Sequence, residues 1–157
     1  MEQQPRRRKW SFVLVILVAL LAFTMVMRNG TPMPPAFDKT VTLAQATSQA
    51  AQTGKPVLVF ATADWCGPCQ SFKKNALQDK TVEQWITINT HAVYLDCTKA
   101  VPEEAKDLPI NALPTLLLLR NGKPVASLEG AEPAKTVIAW FEANAGALND
   151  EKAKSGG

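Results

Sequence analysis

The apolar positions of this chain follow two different patterns. From Trp10 to Met27 they run as WSFVLVILVALLAFTMVM, eighteen residues without a charge. As a helix that run reaches roughly 27 Å, enough to cross a hydrocarbon core with little tilt. Arg6, Arg7, Arg8 and Lys9 stand just before it and Arg28 just after it. The excess of basic residues on the N-terminal side predicts that this end stays in the cytoplasm. The competing reading is a cleaved signal peptide, which has a shorter apolar core and ends in a small-x-small site. Ala22–Thr24 is the nearest candidate for such a site and a poor one, so an uncleaved signal anchor is expected.

Beyond Arg28 the apolar positions come in short runs broken by turn residues. RNGTPMPPAFDK has three prolines and no period, and reads as a stiff stalk. TLAQATSQAAQTGK has helix chemistry, with Thr42 and Gln45 placed for a capping box and Gly54 for the stop. PVLVFAT (56–62) is β-rich without alternation, as in a strand buried on both faces. CQSFKKNALQD has helical spacing, placing Phe72, Ala76 and Leu77 inward and Lys73, Lys74 and Asp79 on a solvated face. A second short helix is expected over 81–89, a buried strand over 92–97 and a short helix in VPEEAKDLPI. Asn121-Gly122 between two strand-like runs predicts a hairpin, and residues 133–146 predict a last helix opening on proline and ending at Gly146. The order α, β, α, β, α, β, β, α implies a mixed sheet with helices on both faces.

The expected organisation is therefore a cytoplasmic basic tail (1–9), a transmembrane signal anchor (10–27), a Pro-rich stalk (28–37), an α/β domain (38–147) and a disordered tail (148–157). The formal net charge of +3 comes almost wholly from the basic tail. Residues 28–157 balance thirteen Lys/Arg against thirteen Asp/Glu and carry no basic run, which argues against a nucleic-acid partner. The chain has three cysteines. Two of them, Cys66 and Cys69, would close so short a loop that a bridge between them is a weak staple. The pair is chemical rather than structural in this reading.

Those two cysteines lie in FATADWCGPCQSFKK, where a strand is expected to end and a helix to begin. A helix N-terminus carries partial positive charge and unpaired N–H groups that stabilise a thiolate, the attacking species in disulfide exchange. Cys66 is expected to face solvent at the helix tip and Cys69 to lie a turn deeper. Pro68 restricts the turn and suits the first turn of a helix. Gly67 allows close approach of another chain. Two readings compete with redox chemistry. One is a zinc site from Cys66, Cys69, His91 and Cys97, and the other is a plain structural bridge. Cys97 reads as a small buried hydrophobe, His91 as surface, and Trp85 and Trp140 as core.

DWCGPC and the segment ALPT (112–115) resemble the active-site and cis-proline motifs of the thioredoxin superfamily. The resemblance covers residues 38–146 and looks most like the exported or membrane-tethered bacterial branch. That branch includes the thioredoxin-like domain of transmembrane thiol–disulfide transporters. It implies a thioredoxin-like fold, a mixed four-stranded sheet flanked by helices, here preceded by one transmembrane helix. It also implies that Cys66 is the nucleophile, that Cys69 is the resolving thiol and that Leu113-Pro114 is a cis bond flanking the substrate. Trp65 would lie beside the site. The redox-active disulfide itself would serve, with no cofactor or metal. Expected partners are protein disulfide substrates and a membrane thiol–disulfide electron donor, with the domain in the periplasm or an equivalent extracytoplasmic space. Reduction is the expected direction. An oxidase or isomerase, or a non-catalytic membrane-anchored assembly or metal-handling module using the same thiols, are the alternatives. The chain departs from the family in one respect. A buried aspartate usually stands six residues before the first cysteine, and here that residue is Phe60; Asp64, nearer the motif, is expected to point outward.

Overall fold

The computed structural model describes the backbone of residues 6–28 and 31–149, with side chains outside 6–10, 23, 25–28 and 145–149. The chain divides into two compact units, Met1–Gly30 and Thr31–Gly157. The first unit holds one helix, α1 (Arg6–Arg28), whose described apolar side chains from Phe12 to Leu21 are exposed. Among the described residues no helix is long and apolar enough to cross a membrane. The expected span of residues 10–27 lies partly outside the described side chains, since those of positions 10, 23 and 25–27 are not among them. Residues 1–5 of the basic tail and 150–157 of the C-terminal tail are likewise outside them.

The second unit contains α2 (Leu43–Thr53), β1 (Val57–Thr62), α3 (Gly67–Lys74), α4 (Lys80–Asn89), β2 (His91–Asp96), β3 (Thr115–Arg120), β4 (Lys123–Glu129) and α5 (Ala134–Asn149). The four strands form one sheet in the order β2-β1-β3-β4. β1 runs parallel to β2 and antiparallel to β3, and β3 pairs antiparallel with β4. All six residues of β1 are buried, because helices cover both faces of the strand. On one face Leu58 and Phe60 pack with residues of α3, α4 and α5, Phe72, Ile86 and Phe141 among them. On the other Val57, Val59 and Ala61 pack with Ala46 of α2 and with Cys97 and Ala105. A strand covered twice has no reason to alternate, which explains the uninterrupted apolar run.

Local signals set the ends of several elements. Thr42 and Gln45 form the reciprocal capping box at α2, and Gly54 closes that helix at φ 73°. Asn121 and Gly122 both take positive φ, 50° and 73°, the conformation a two-residue hairpin turn demands. Pro124 sits on the edge strand β4, where a missing N–H is tolerated, and the register slips opposite it between Leu118 and Leu119. Trp85 stacks on Phe141 with centroids 3.9 Å apart, and Trp140 packs beside them, so both indoles join the core as half-buried flanks.

Elsewhere the structure corrects the expected outline. The helix after the cysteines stops at Lys74, and a 3-10 turn (Ala76–Gln78) follows it. Asp79 is therefore not on a solvated face of that helix. It caps α4, accepting from the N–H of Thr81 at 2.9 Å and of Val82 at 3.3 Å. Lys73 is not solvated either; its side chain is 1% exposed, turned to the sheet while Lys74 faces out. Residues 101–110 hold a single 3-10 turn, Glu103–Ala105. α5 passes through Gly146 to Asn149, since one helix-interior glycine costs only about 1 kcal/mol against alanine. Residues 31–37 also lie against the domain, with Pro34 and Phe37 buried and Phe37 packed on Phe60.

Candidate active site

β1 ends at Thr62 under the site, and Ala63, Asp64 and Trp65 turn the chain into α3. Cys66 is the N-cap residue of α3, at φ −85° and ψ 101°, with Gly67 and Pro68 as its first helical positions. Extended backbone at the N-cap and proline in the first turn are what a helix start accepts, so local sequence sets the geometry here. The Cys66 sulfur accepts the N–H of Cys69 at 3.2 Å, using one of the amide donors that a helix N-terminus leaves unpaired. Cys66 and Cys69 are joined as a disulfide, with their Cα atoms 5.2 Å apart.

Both sulfurs pack among Ala63 and Leu113. Cys66 is 5% exposed and Cys69 fully covered. The expectation that Cys66 faces solvent holds only relative to Cys69: in the oxidised pair Cys66 is itself buried, with Leu113 packed against it. The Leu113-Pro114 bond is cis. The Pro114 carbonyl accepts the N–H of Gly130 at 2.8 Å, and the Thr115 hydroxyl donates to the Ala112 carbonyl at 2.7 Å. These bonds hold the 112–115 segment beside the disulfide.

Further contacts reach this loop from Thr98 and Thr31, which no local motif marks. Trp65 is 69% exposed, yet its indole Nε1–H donates to the Thr98 carbonyl at 2.9 Å. The Asp64 N–H donates to the Thr98 hydroxyl at 2.9 Å, while Asp64 itself is exposed, as expected. Gln70 donates from Nε2 to the carbonyls of Ala63 and Asp64 at 3.1 and 3.2 Å, and its Oε1 accepts the Thr31 N–H at 3.1 Å. The turn after β2 and the segment before α2 thus brace the loop that carries the cysteines. A polar cluster lies beside it. Burial works against the Asp96 carboxylate, but hydrogen bonds from Thr98 and the nearby Lys39 and Lys73 charges hold it below its ordinary value.

A groove of about 700 Å³ opens at the disulfide, lined by Trp65, Cys66, Pro68, Val101, Ile110 and Leu113 among others. Its floor includes Cys97, a free and buried thiol. The Cys97 N–H donates to the Thr62 carbonyl at 2.7 Å, and burial pushes the thiol above its ordinary value. A neutral, covered thiol reacts slowly, because the thiolate is the nucleophile. With the disulfide intact, alkylation of the native protein near neutral pH is expected to add essentially no label. Unfolding is expected to expose a single site, and mass spectrometry of the intact chain reads both; one rapid adduct in the native state would show that Cys97 is accessible.

The cysteines and His91 do not form one ligand set. His91 opens β2 and Cys97 follows its end, which separates them by about 20 Å at 3.3 Å per residue. His91 Nε2 instead shares a hydrogen bond of 2.7 Å with the Thr53 hydroxyl. It is half-buried, and desolvation with the Lys55 charge lowers its pKa. Among the described residues no group of three His, Cys, Asp or Glu is placed to hold a metal ion.

A family model for the thioredoxin-like domain matches residues 43–145, the region that holds every strand, the disulfide and the cis-proline segment. The chain belongs to the thioredoxin-like family. Curated relatives of this thioredoxin-like domain include a chloroplastic thioredoxin Y of Oryza sativa subsp. japonica. It is 40% identical over 88 residues, covering 56% of this chain and 50% of that protein. The chain thus spans about half the length of that relative. A thioredoxin of Alicyclobacillus acidocaldarius is 33% identical over 107 residues, covering 64% of this chain and 92% of the other. Among solved structures, the C-terminal domain of Neisseria meningitidis DsbD in its reduced form superposes with a TM-score of 0.57 at 25% identity. That match covers 69% of this chain and 98% of the other. The oxidised form of the same domain gives 0.56 at 25% identity, covering 64% and 90%. The thioredoxin-like domain therefore carries its cysteine pair where the fold places a strand end against a helix start.

Proposed function

We propose that this thioredoxin-like protein is a membrane-tethered, extracytoplasmic thiol–disulfide oxidoreductase that reduces protein disulfides. The observation that carries the reading is the Cys66–Cys69 pair at the N-terminus of α3, with the Cys66 sulfur already accepting a helix amide. Cys66 is the nucleophile in this reading, because it stands at the helix tip and at the mouth of the groove. Cys69, fully covered one turn on, is the resolving thiol. Trp65, Gly67, Pro68, Leu113 and Pro114 shape the surface that a substrate chain would meet.

The chemistry balances without a further cofactor. The Cys66 thiolate attacks one sulfur of a substrate disulfide; that S–S bond breaks and the other substrate sulfur leaves as a thiolate. Cys69 loses its proton and attacks the Cys66 sulfur of the mixed disulfide. The Cys66–Cys69 bond forms, and the second substrate sulfur leaves with its electron pair. Two electrons have passed to the substrate, and a membrane thiol–disulfide donor must return them. The similarity to a DsbD domain solved in both oxidised and reduced forms supports this cycle.

The uncharged run from Trp10 to Met27 and the basic cluster before it support the tether and its orientation. Retention of the chain in alkali-washed membranes, with the domain open to protease only from outside the cytoplasm, is the expected result. Release into the soluble fraction would remove the tether. Direction is read by the reduction potential. Equilibration with thiol redox buffers is expected to place the pair near the reducing end of the family, at about −270 mV. A value near about −120 mV would make the protein an oxidase instead.

A further inference from the structure

Phe60 stands where thioredoxins usually bury a carboxylate under the cysteines, and among the described residues a lysine of α3, Lys73, is buried instead. Lys73 lies on the covered face of α3, one helical turn after Cys69, and both side chains are within 1% of complete burial. Residues four apart on a helix are neighbours, about 5–6 Å between Cβ atoms. A helical side chain also leans over the turn that precedes it, so Lys73 covers the turn that carries Cys69. Its Nζ donates to the Tyr94 hydroxyl at 3.3 Å and sits 5.9 Å from the centre of that ring. Tyr94 is the register partner of Phe60, the residue standing in the acid's position.

We infer that Lys73, held by Tyr94, is a positioning residue that stabilises the Cys69 thiolate by its charge. The inference rests on the dithiol reading given above. Among the described residues no carboxylate comes within ion-pair distance of Lys73 Nζ; the ion pair they contain joins Lys106 and Glu103. The surrounding charges are Asp64 from the turn before α3, Asp96 from β2 and Lys39 from the segment before α2. Desolvation lowers the Lys73 pKa and Lys39 adds to the lowering, while Asp64 and Asp96 act to keep the ammonium charged. Burial, with Asp96 and Asp64 nearby, pushes Tyr94 up to about 12, so the phenol beside Lys73 stays neutral. A cation in a low-dielectric setting without a direct ion pair favours a nearby anion, and a turn away the group that becomes anionic is Cys69. A buried acid would take the proton from Cys69; Lys73 instead makes its loss to solvent easier. The freed thiolate then attacks Cys66 as described above.

The test is the titration of the reduced full-length chain in detergent, following the Cβ shift of each cysteine by NMR. Lys73→Met keeps the length of the side chain and removes the charge. The Cys69 midpoint is expected to rise by about one pH unit, a tenfold loss of thiolate at a given pH, with a smaller change at Cys66. Lys73→Arg is expected to restore most of the shift. Should arginine not fit the buried site, Tyr94→Phe serves as the second variant. It keeps the ring and removes the acceptor that holds the ammonium, and a smaller rise at Cys69 is expected. A Cys69 midpoint that stays in place or falls in Lys73→Met, with the fold intact, overturns the inference. The readout is the thiol itself and not turnover, so loss of the reductase reading and loss of this inference are separate results.

Discussion

Replacing Cys66 by serine is expected to reduce the rate of disulfide reduction, measured on insulin with a chemical thiol supplying electrons, to the uncatalysed background. The expected loss is about a thousandfold or more, roughly 4 kcal/mol of barrier at 1.36 kcal/mol per decade. A hydroxyl cannot take the place of the thiolate, since at neutral pH it does not ionise and it forms no stable bond to sulfur. Cys69→Ser acts at the other half of the cycle. It leaves the nucleophile at the tip of α3 but removes the group that resolves the mixed disulfide. Turnover is expected to stop with substrate covalently held on Cys66, visible as an adduct that a reducing agent releases. Full reduction by Cys66→Ser would exclude the dithiol mechanism. Partner binding that survives in both variants, from a wild-type chain that never turned over, would favour the non-catalytic assembly module.

The second large effect is on stability. Phe60→Ala is expected to cost about 3–5 kcal/mol, the range for truncating a fully buried aromatic residue. Phe60 is completely covered at the centre of β1, with ring centroids of Phe37, Tyr94 and Phe72 at 5.5, 5.8 and 5.9 Å. These rings meet edge-on or tilted, which adds to simple area burial. Small domains hold only about 5–15 kcal/mol in total, so the variant should unfold at clearly lower denaturant, read from the shift in midpoint. A shift below about 1 kcal/mol would mean that Phe37 or its neighbours collapse into the vacated space. The same cluster bears on function. An aspartate at this place would be surrounded by three rings, with the Lys73 ammonium beyond Tyr94. The domain fills the family's acid position with hydrocarbon, and the charged side chain it buries nearby is a lysine of α3.

Much of the site is legible in one line of residues. The strand run of β1, the Gly-Pro filling and the helix that follows place Cys66 and Cys69 at a strand-to-helix junction, because each of those features acts within a few residues. The capping box at Thr42, the Asn121-Gly122 hairpin and the doubly covered β1 were readable for the same reason: backbone preference and short-range hydrogen bonds decide them. The misread elements depend on something distant. Helical spacing put Lys73 beside Lys74 on a polar face, and charge alone made solvent the natural place for it. What reverses that is Tyr94, twenty-one residues on, brought by the parallel pairing of β1 and β2 to within reach of its ammonium. Gly146 looked like a stop, and the helix ran through it.

Residue order thus decides which local structures form and that two thiols stand at a helix start. Only the tertiary fold decides what surrounds them. It brings Thr98 from beyond β2 onto Trp65 and Asp64, Thr31 onto Gln70, and Leu113 against the sulfurs. It also surrounds Phe60 with three aromatic rings and turns a lysine inward onto Tyr94. The physical reason is range. Helix caps, turns and strand runs act over a few residues, whereas the groups that set a thiol's charge are through-space neighbours, and strand pairing chooses them.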